Sequence, residues 1–321
     1  MARLIELEFF AIYLGENANF FAGIPQTMDP HPAPAEYAES LTRLRSKCEE
    51  IFNHTQRSEF TVRDDGISYR VSMLVSIVET IYVLRRFPPR VPDIATLGIH
   101  PRQVEKLMTP ELTGLIVIAG AFGQGKTTTA SSLLTARLGK YGGVGITVED
   151  PPEMPLEGHH GNGICYQTWV EQGGFGAEIR KAARWSPSVI FLGEVRDGES
   201  ATEALRASIN GRLVICTTHA ASVTMAIERI YSLANASAGS SEDVASLLAN
   251  GLTAVLHQRL ETNANGVKHP KLQFLWVGEN DGKEFGSKGV RNTIRQRRFD
   301  QIENDVMLQL NQMLMMKGRI D

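Results

Sequence analysis

Gly120, Gly125, Lys126 and Thr127 stand in the stretch GAFGQGKTTTASSLL, residues 120–134, at the spacing GxxxxGK[ST]. Glycines so spaced let backbone amides turn inward around an anion, and a helix that starts at the same place adds its positive end. A lysine there bridges the β and γ phosphates of a nucleotide, and the threonine hydroxyl takes a place around Mg²⁺. The residues expected to bind ATP are Gly120, Gly123, Gln124, Gly125, Lys126, Thr127 and Thr128. The competing reading is a glycine turn that holds nothing.

Acids and a histidine follow at the ends of other apolar runs. In SVIFLGEVRDGES an apolar strand delivers Glu194 to its carboxyl end, which is where open α/β sheets bind ligands. Glu194 either polarises an attacking water there or is a solvated strand-end acid. The residue before it is Gly193, where a phosphate-loop enzyme commonly keeps an aspartate for the metal. That gap directs attention to ITVEDPPE, where Glu149, Asp150 and Glu153 follow another apolar run. A turn on Pro151 and Pro152 explains Asp150 on structural grounds, so Glu149 is the stronger candidate for metal or its waters. CTTHAAS places His219 at a third strand end. A lone histidine is usually packed or on the surface, but three strand ends converging on one loop favour function. The metal set is then Thr127, Glu149 and Glu194, some of them through water.

These positions need a sheet to hold them. GLIVIAG ends at the glycine loop, and TTTASSLLTARLGKYGG has the pattern of a helix stopped by Gly142 and Gly143. VGITVED, SVIFLGE and RLVICTTH are strand-like, each followed by a loop and a helical pattern, which implies a parallel sheet with helices packed on it. Residues 1–86 read differently: PAEYAESLTRLRSKCEEIF is helical, and RDDG looks like a turn between two strands, so this end is expected to be a small α+β domain. The prolines of RFPPRVPDIATLGIHP mark residues 87–101 as a linker. Residues 102–285 then form the phosphate-loop domain and 286–321 a helical tail, with Met307, Leu310 and Leu314 on one side of its last helix.

Composition narrows the classes. The chain has 321 residues, 42% of them hydrophobic and 21% charged, and a formal net charge of −3, which gives no general attraction to nucleic acid or anionic membranes. Cys48, Cys165 and Cys216 make neither a disulfide framework nor a metal knuckle, so they read as small buried thiols in a reducing compartment. Glu6 and Glu8 interrupt the apolar opening, which therefore lacks the shape of a signal peptide, and no run is long enough to span a bilayer. The protein is expected to be cytoplasmic.

The glycine loop, ITVEDPPE, VIFLGEVRD and TTHAAS, in that order, resemble the secretion and type IV pilus ATPase superfamily, with its Walker A loop, acidic box, Walker B ending in Gly-Glu, and histidine box. SYRVSM, VLRRFPPRVPDIATLGI and LTAVLHQRL look like further elements of it. The resemblance implies an α/β, RecA-like phosphate-loop ATPase domain with a mainly parallel sheet, and a smaller N-terminal α+β domain of PAS-like type. It implies a ring, usually a homo-hexamer, that clamps MgATP between the two domains. Arg70 and Arg85 would then reach the γ-phosphate, Glu194 would activate water, Glu149 would support metal or water, and His219 would sense the γ-phosphate. GVRNTIRQRRFDQIEN is similar to the AIRNLIRE element of the PilT-like retraction ATPases, with Arg291, Asn292, Ile294 and Arg295 in matching places. Retraction of a type IV pilus at the cytoplasmic face of the inner membrane, through a platform protein there, is the implied role. The ATPases of type IVB secretion and plasmid conjugation share most of these motifs.

Several positions depart from the pattern. Ser186 to Ser188 read SPS instead of DPD, Phe122 and Gln124 replace Thr and Ser, Ile77 falls where the family has an arginine, and VGENDGKEFGSKG looks like an insertion. A RecA-like nucleic-acid motor and a structural subunit that no longer hydrolyses ATP are the other classes. The acidic balance and the missing aromatic and basic strip count against the first. The retained Lys126, Thr127, Glu149, Glu194 and His219 count against the second.

Overall fold

The computed structural model describes residues 3–24, 29–170, 174–237, 240–262, 268–278 and 287–315. The chain forms two compact units, Met1–Arg90 with Pro151–Pro155, and Val91–Asp150 with Leu156–Asp321.

The first unit is a six-stranded antiparallel sheet with one long helix. Its strands are β1 (Ala11–Leu14), β2 (Asn19–Ala22), β3 (His31–Pro32), β4 (Glu59–Asp64), β5 (Ile67–Val75) and β6 (Thr80–Arg86), and its helix is α1 (Ala38–Thr55). The order across the sheet is β3-β2-β1-β6-β5-β4. Leu41, Leu44 and Cys48 recur at helical spacing and form the buried stripe of α1. The RDDG turn forms as expected: Asp65 and Gly66 have φ of 47° and 81°, the left-handed pair that a two-residue hairpin needs. The next hairpin, between β5 and β6, sets the register that places Arg70 directly opposite Arg85 on one face of the sheet.

Asp64, at the end of β4, is 5% exposed and receives Arg43 Nη2 and Lys47 Nζ, each at 2.8 Å. Burial pushes its carboxyl up, but hydrogen bonds from Arg43 and Lys47 outweigh that, and the pKa lies below its ordinary 3.8. A pKa depressed by folding stabilises the native state above the unfolded value, and the stabilisation is lost as pH falls through the folded value. Asp64→Asn is expected to cost about 1–2 kcal/mol at pH 7, because both cations lie partly in solvent. In urea unfolding, the gap between the variant and the parent should narrow as pH drops below 3.8.

The second unit holds an eight-stranded sheet. In chain order its elements are α2 (Pro101–Leu107), β7 (Gly114–Ala119), α3 (Lys126–Tyr141), β8 (Gly143–Glu149), β9 (Gly158–His160), β10 (Gly163–Trp169), α4 (Phe175–Arg184), β11 (Val189–Leu192), α5 (Gly198–Ile209), β12 (Leu213–Thr218), α6 (Val223–Ser237), α7 (Ser241–Gly251), β13 (Leu252–Thr262), β14 (Lys268–Trp276), α8 (Ser287–Arg295) and α9 (Ile302–Met315). The order across the sheet is β14-β13-β7-β12-β11-β8-β10-β9. β13, β7, β12, β11, β8 and β10 run parallel, while β14 and β9 are antiparallel edges. Every residue of β7, β11 and β12 is buried, as expected for parallel strands covered by helices on both faces. The cysteines are buried and free, and burial pushes each thiol up to about 12.

Two features differ from the sequence reading. β9, β10 and β14 were not anticipated; β9 and β14 close the sheet at its edges. The last helix also turns a different face inward. Ile302, Val306, Gln309 and Met313 are its buried stripe, while Met307 and Leu310 are 50% and 37% exposed. Gln309 sets this rotation: its carboxamide accepts from Trp276 N at 2.8 Å and donates to Trp276 O at 2.9 Å, satisfying backbone groups of the edge strand β14. The side chain of Leu314 and residues 279–286 of the insertion-like stretch lie outside the described residues. Among the described residues, no helix is long and apolar enough to cross a membrane.

Candidate functional site

The glycine loop joins β7 to α3. Gly123 and Gly125 adopt φ of 72° and 77°, left-handed values that turn the chain sharply into the helix, so Lys126 opens α3. Lys126 is 8% exposed, and its ammonium donates to the loop carbonyl of Ala121 at 2.9 Å. Thr127 and Thr128 follow in the first helical turn, both half-buried, and Phe122 projects from the loop at 82% exposure. The loop and the helix start therefore occupy one place, as the spacing implied, and the fold buries Lys126 there.

Neighbouring strands bring the acids to the same edge. β8 and β11 pair in parallel with Val148 opposite Leu192, so Glu149 and Gly193 lie side by side where the two strands end. Glu149 is 1% exposed and accepts from Gln167 Nε2 at 3.0 Å. A Cβ on Gly193 would stand 3.2 Å from Glu149 Cγ. That close approach gives a physical reason for the glycine: the Glu149 side chain fills the space that an acid at 193 would use. Gly193→Asp is expected to lower stability by about 1–3 kcal/mol through overpacking. Its penalty in chemical denaturation should be larger at pH 7 than at pH 5, because two carboxylates so close resist joint ionisation.

Glu194 and His219 follow β11 and β12, which are adjacent, and His219 Nε2 lies 3.4 Å from Glu194 Oε1. Both are half-buried. The other two acids of ITVEDPPE are engaged in ion pairs. Asp150 meets Arg196 at 2.5 Å, and Glu153, which belongs to the first unit, meets Arg70 at 3.2 Å. Arg70 also pairs with Glu59 at 3.1 Å, whereas Arg85 is exposed.

The tail motif is divided between core and surface. Ile294 is fully buried in the hydrophobic core, and Arg291 Nε donates to Val277 O at 3.1 Å. Asn292 and Arg295 are exposed, with Arg295 reaching Asn250 Oδ1 at 2.6 Å. Arg291 and Asn250 line a recess of 610 Å³ that also includes Gly114, the first residue of β7. It therefore lies at the opposite end of that strand from the glycine loop.

One residue at the loop was missed as a site candidate. Gln258 on β13 is 2% exposed, donates from Nε2 to Gln124 O at 2.6 Å and accepts from Thr129 Oγ1 at 2.6 Å. The sequence signal was the Gln-Arg-Leu ending of LTAVLHQRL, which carried no role until β13 was found beside β7.

A strand feeding a glycine loop into a helix, with acids and a histidine at neighbouring ends of a buried parallel sheet, is the architecture of a phosphate-loop α/β protein. The chain belongs to the type II/IV secretion system protein family, whose profile matches residues 49–318. It is 27% identical over 263 residues to the Type IV pilus retractation ATPase PilT of Pseudomonas aeruginosa, an overlap of 81% of this chain and 72% of that one. Type II secretion system protein E of Klebsiella pneumoniae is 33% identical over 200 residues, 61% of this chain and 38% of that one. Among solved structures, the pilus retraction motor PilT with bound ADP is similar at a TM-score of 0.76 and 26% identity, covering 96% of this chain and 88% of that one. The Legionella pneumophila ATPase DotB has the same fold at a TM-score of 0.72 and 16% identity, covering 98% and 93%. The chain spans between 38% and 54% of the length of three curated relatives that it matches, protein E among them.

Proposed function

We propose that this chain is a ring-forming motor ATPase that hydrolyses ATP to drive type IV pilus retraction, or the dynamics of a related secretion machine, at the cytoplasmic face of the inner membrane. The observation that carries the reading is the convergence of the Lys126 loop, Glu149, Glu194 and His219 on one edge of the sheet. Glu194 takes the position of a base for the attacking water. His219, 3.4 Å away, orients that carboxylate and registers the γ-phosphate. Lys126 leaves the Ala121 carbonyl to meet the β and γ phosphates, while the loop amides hold the rest of the chain of phosphates.

The oxygen donors Thr127, Glu149 and Glu194 fit Mg²⁺, which is usually held by one or two carboxylates plus substrate phosphates. When bound, Mg²⁺ neutralises charge on the β and γ oxygens. Arg70 and Arg85 supply the remaining neutralisation. Arg85 is exposed, and Arg70 would exchange its pairs with Glu59 and Glu153 for the phosphate. Supplied by a moving domain or a neighbouring subunit, these arginines would couple hydrolysis to geometry. Asn292 and Arg295, at the surface, are the part of the tail motif open to a partner such as an inner-membrane platform protein.

The test is ATP hydrolysis per subunit over a wide range of protein concentration. Specific activity that rises with concentration, with a mass distribution moving to a closed ring, supports a site completed between subunits. Activity that stays flat in a protein shown to be monomeric throughout would overturn the ring.

A further inference from the structure

β13 outruns β7. Its register with β7 ends at His257 opposite Ala119, and the next residues of β13 run alongside the glycine loop. Gln258 is there enclosed at 2% exposure, and its carboxamide spans two parts of the loop and helix. Nε2 donates to the main-chain oxygen of Gln124, just before the last glycine, and Oε1 accepts from Thr129 Oγ1 in the first turn of α3, both at 2.6 Å. Gln124 returns the contact: its own Oε1 accepts from Leu260 N at 2.6 Å. Two glutamines, 134 positions apart, thus each tie their side chain to the other's strand or loop backbone.

The glycines of the loop fit around this device. A Cβ on Gly125 would approach Gln258 Nε2 to 2.9 Å, and one on Gly120 would meet Gln258 O at 2.4 Å. Both loop ends therefore lie directly against Gln258. The bonds also fix the carboxamide's orientation, since a hydroxyl that donates to Gln258 and a carbonyl that only accepts cannot be exchanged.

We infer that Gln258 is a positioning residue that holds the glycine loop in its phosphate-binding form, acting through Gln124 and Thr129. It does not touch the phosphates. Its part is to remove the loop's alternative conformations before ATP arrives, so that binding does not have to order them. The inference rests on the reading of this loop as the ATP site. It predicts that losing the clamp weakens nucleotide binding because a smaller fraction of molecules is ready to bind.

The experiment measures, for the full-length chain, the Kd of fluorescent MgADP, KM and kcat for ATP, and thermal stability with and without saturating MgADP. The variants are Gln258→Met, which keeps length and loses both hydrogen bonds, Gln258→Glu, which keeps an acceptor for Thr129 but turns a carboxylate toward the Gln124 carbonyl, and Gln124→Ala. For Gln258→Met, Kd and KM are expected to rise about tenfold, with kcat at saturating ATP falling much less, as a population effect requires. Gln258→Glu should bind more weakly still, and Gln258→Met combined with Gln124→Ala should be no worse than the sum of the single changes, since both act on one loop. Gln258→Met that melts lower but binds MgADP with the parental Kd overturns the inference, because its role is then structural only. If Gln258→Met does not fold, unchanged nucleotide affinity in Thr129→Val, which removes the hydroxyl that donates to Gln258, overturns it equally. A parent chain that binds no nucleotide defeats the ATP-site reading instead, and the two failures are distinguished by that control.

Discussion

Glu194→Gln is expected to lower ATP turnover at saturating ATP by about 100-fold or more, the loss typical of a removed general base. Nucleotide affinity should change little, because the amide keeps the side chain's size and its place after β11. The measurement is steady-state phosphate release alongside equilibrium binding of MgADP. A variant that turns over at the parental rate would move the base to Glu149, the other acid at this edge. Glu149 is the weaker candidate because it is 1% exposed and already accepts from Gln167, whereas Glu194 is half-buried and open to a water. The contact between His219 and Glu194 adds a second arm. His219→Ala should lose less than Glu194→Gln, because it removes the orientation of the base and leaves the base itself.

Lys126→Ala is expected to abolish productive binding of ATP. The side chain is 8% exposed and its ammonium donates to the loop's own Ala121 oxygen, which places a largely buried positive charge at the loop where an incoming anion would meet it. A ligand at 100 times its Kd stabilises a protein by about 2.7 kcal/mol. Thermal unfolding with and without MgATP should show that increment in the parent and none in Lys126→Ala. Retention of the full increment in the variant would mean that the nucleotide lies elsewhere, and the glycine loop would revert to a turn without a ligand. Read together, the two variants separate binding from turnover.

The parts of the site carried by short stretches were legible in the chain. GAFGQGKT specified a loop and a helix start because both follow from local glycine geometry and from the first turn of one helix, while the burial of Lys126 came from the fold. The RDDG hairpin was legible for the same reason, since its two left-handed residues are adjacent. The ends of SVIFLGE, VGITVED and RLVICTTH pointed to Glu194, Glu149 and His219, because a run of apolar residues followed by an acid or histidine marks a buried strand's carboxyl end whatever lies beside it.

What the sequence could not order was lateral. No local rule says that β8 is the neighbour of β11, and only that pairing brings Glu149 against Gly193 and explains why the aspartate position is empty of a side chain. The rotation of the last helix had the same origin: Met307 and Leu310 make a plausible apolar stripe, yet two hydrogen bonds from Gln309 to the backbone of β14 outweigh it. Glu149 was preferred to Asp150 and Glu153 in one acidic run on the strength of a proline turn, but the ion pairs that engage those two, with Arg196 and Arg70, came from chain segments far away. By itself, then, the sequence determined the central strands β7, β8, β11 and β12, their shared direction and the chemistry of their ends, all of which depend on spacing within a few residues, while β9, β10 and β14 were not legible in it. The tertiary structure alone decided which acids remain beside the loop and that Gln258 clamps it, because strand order and a contact across 134 positions are set by packing of the whole sheet.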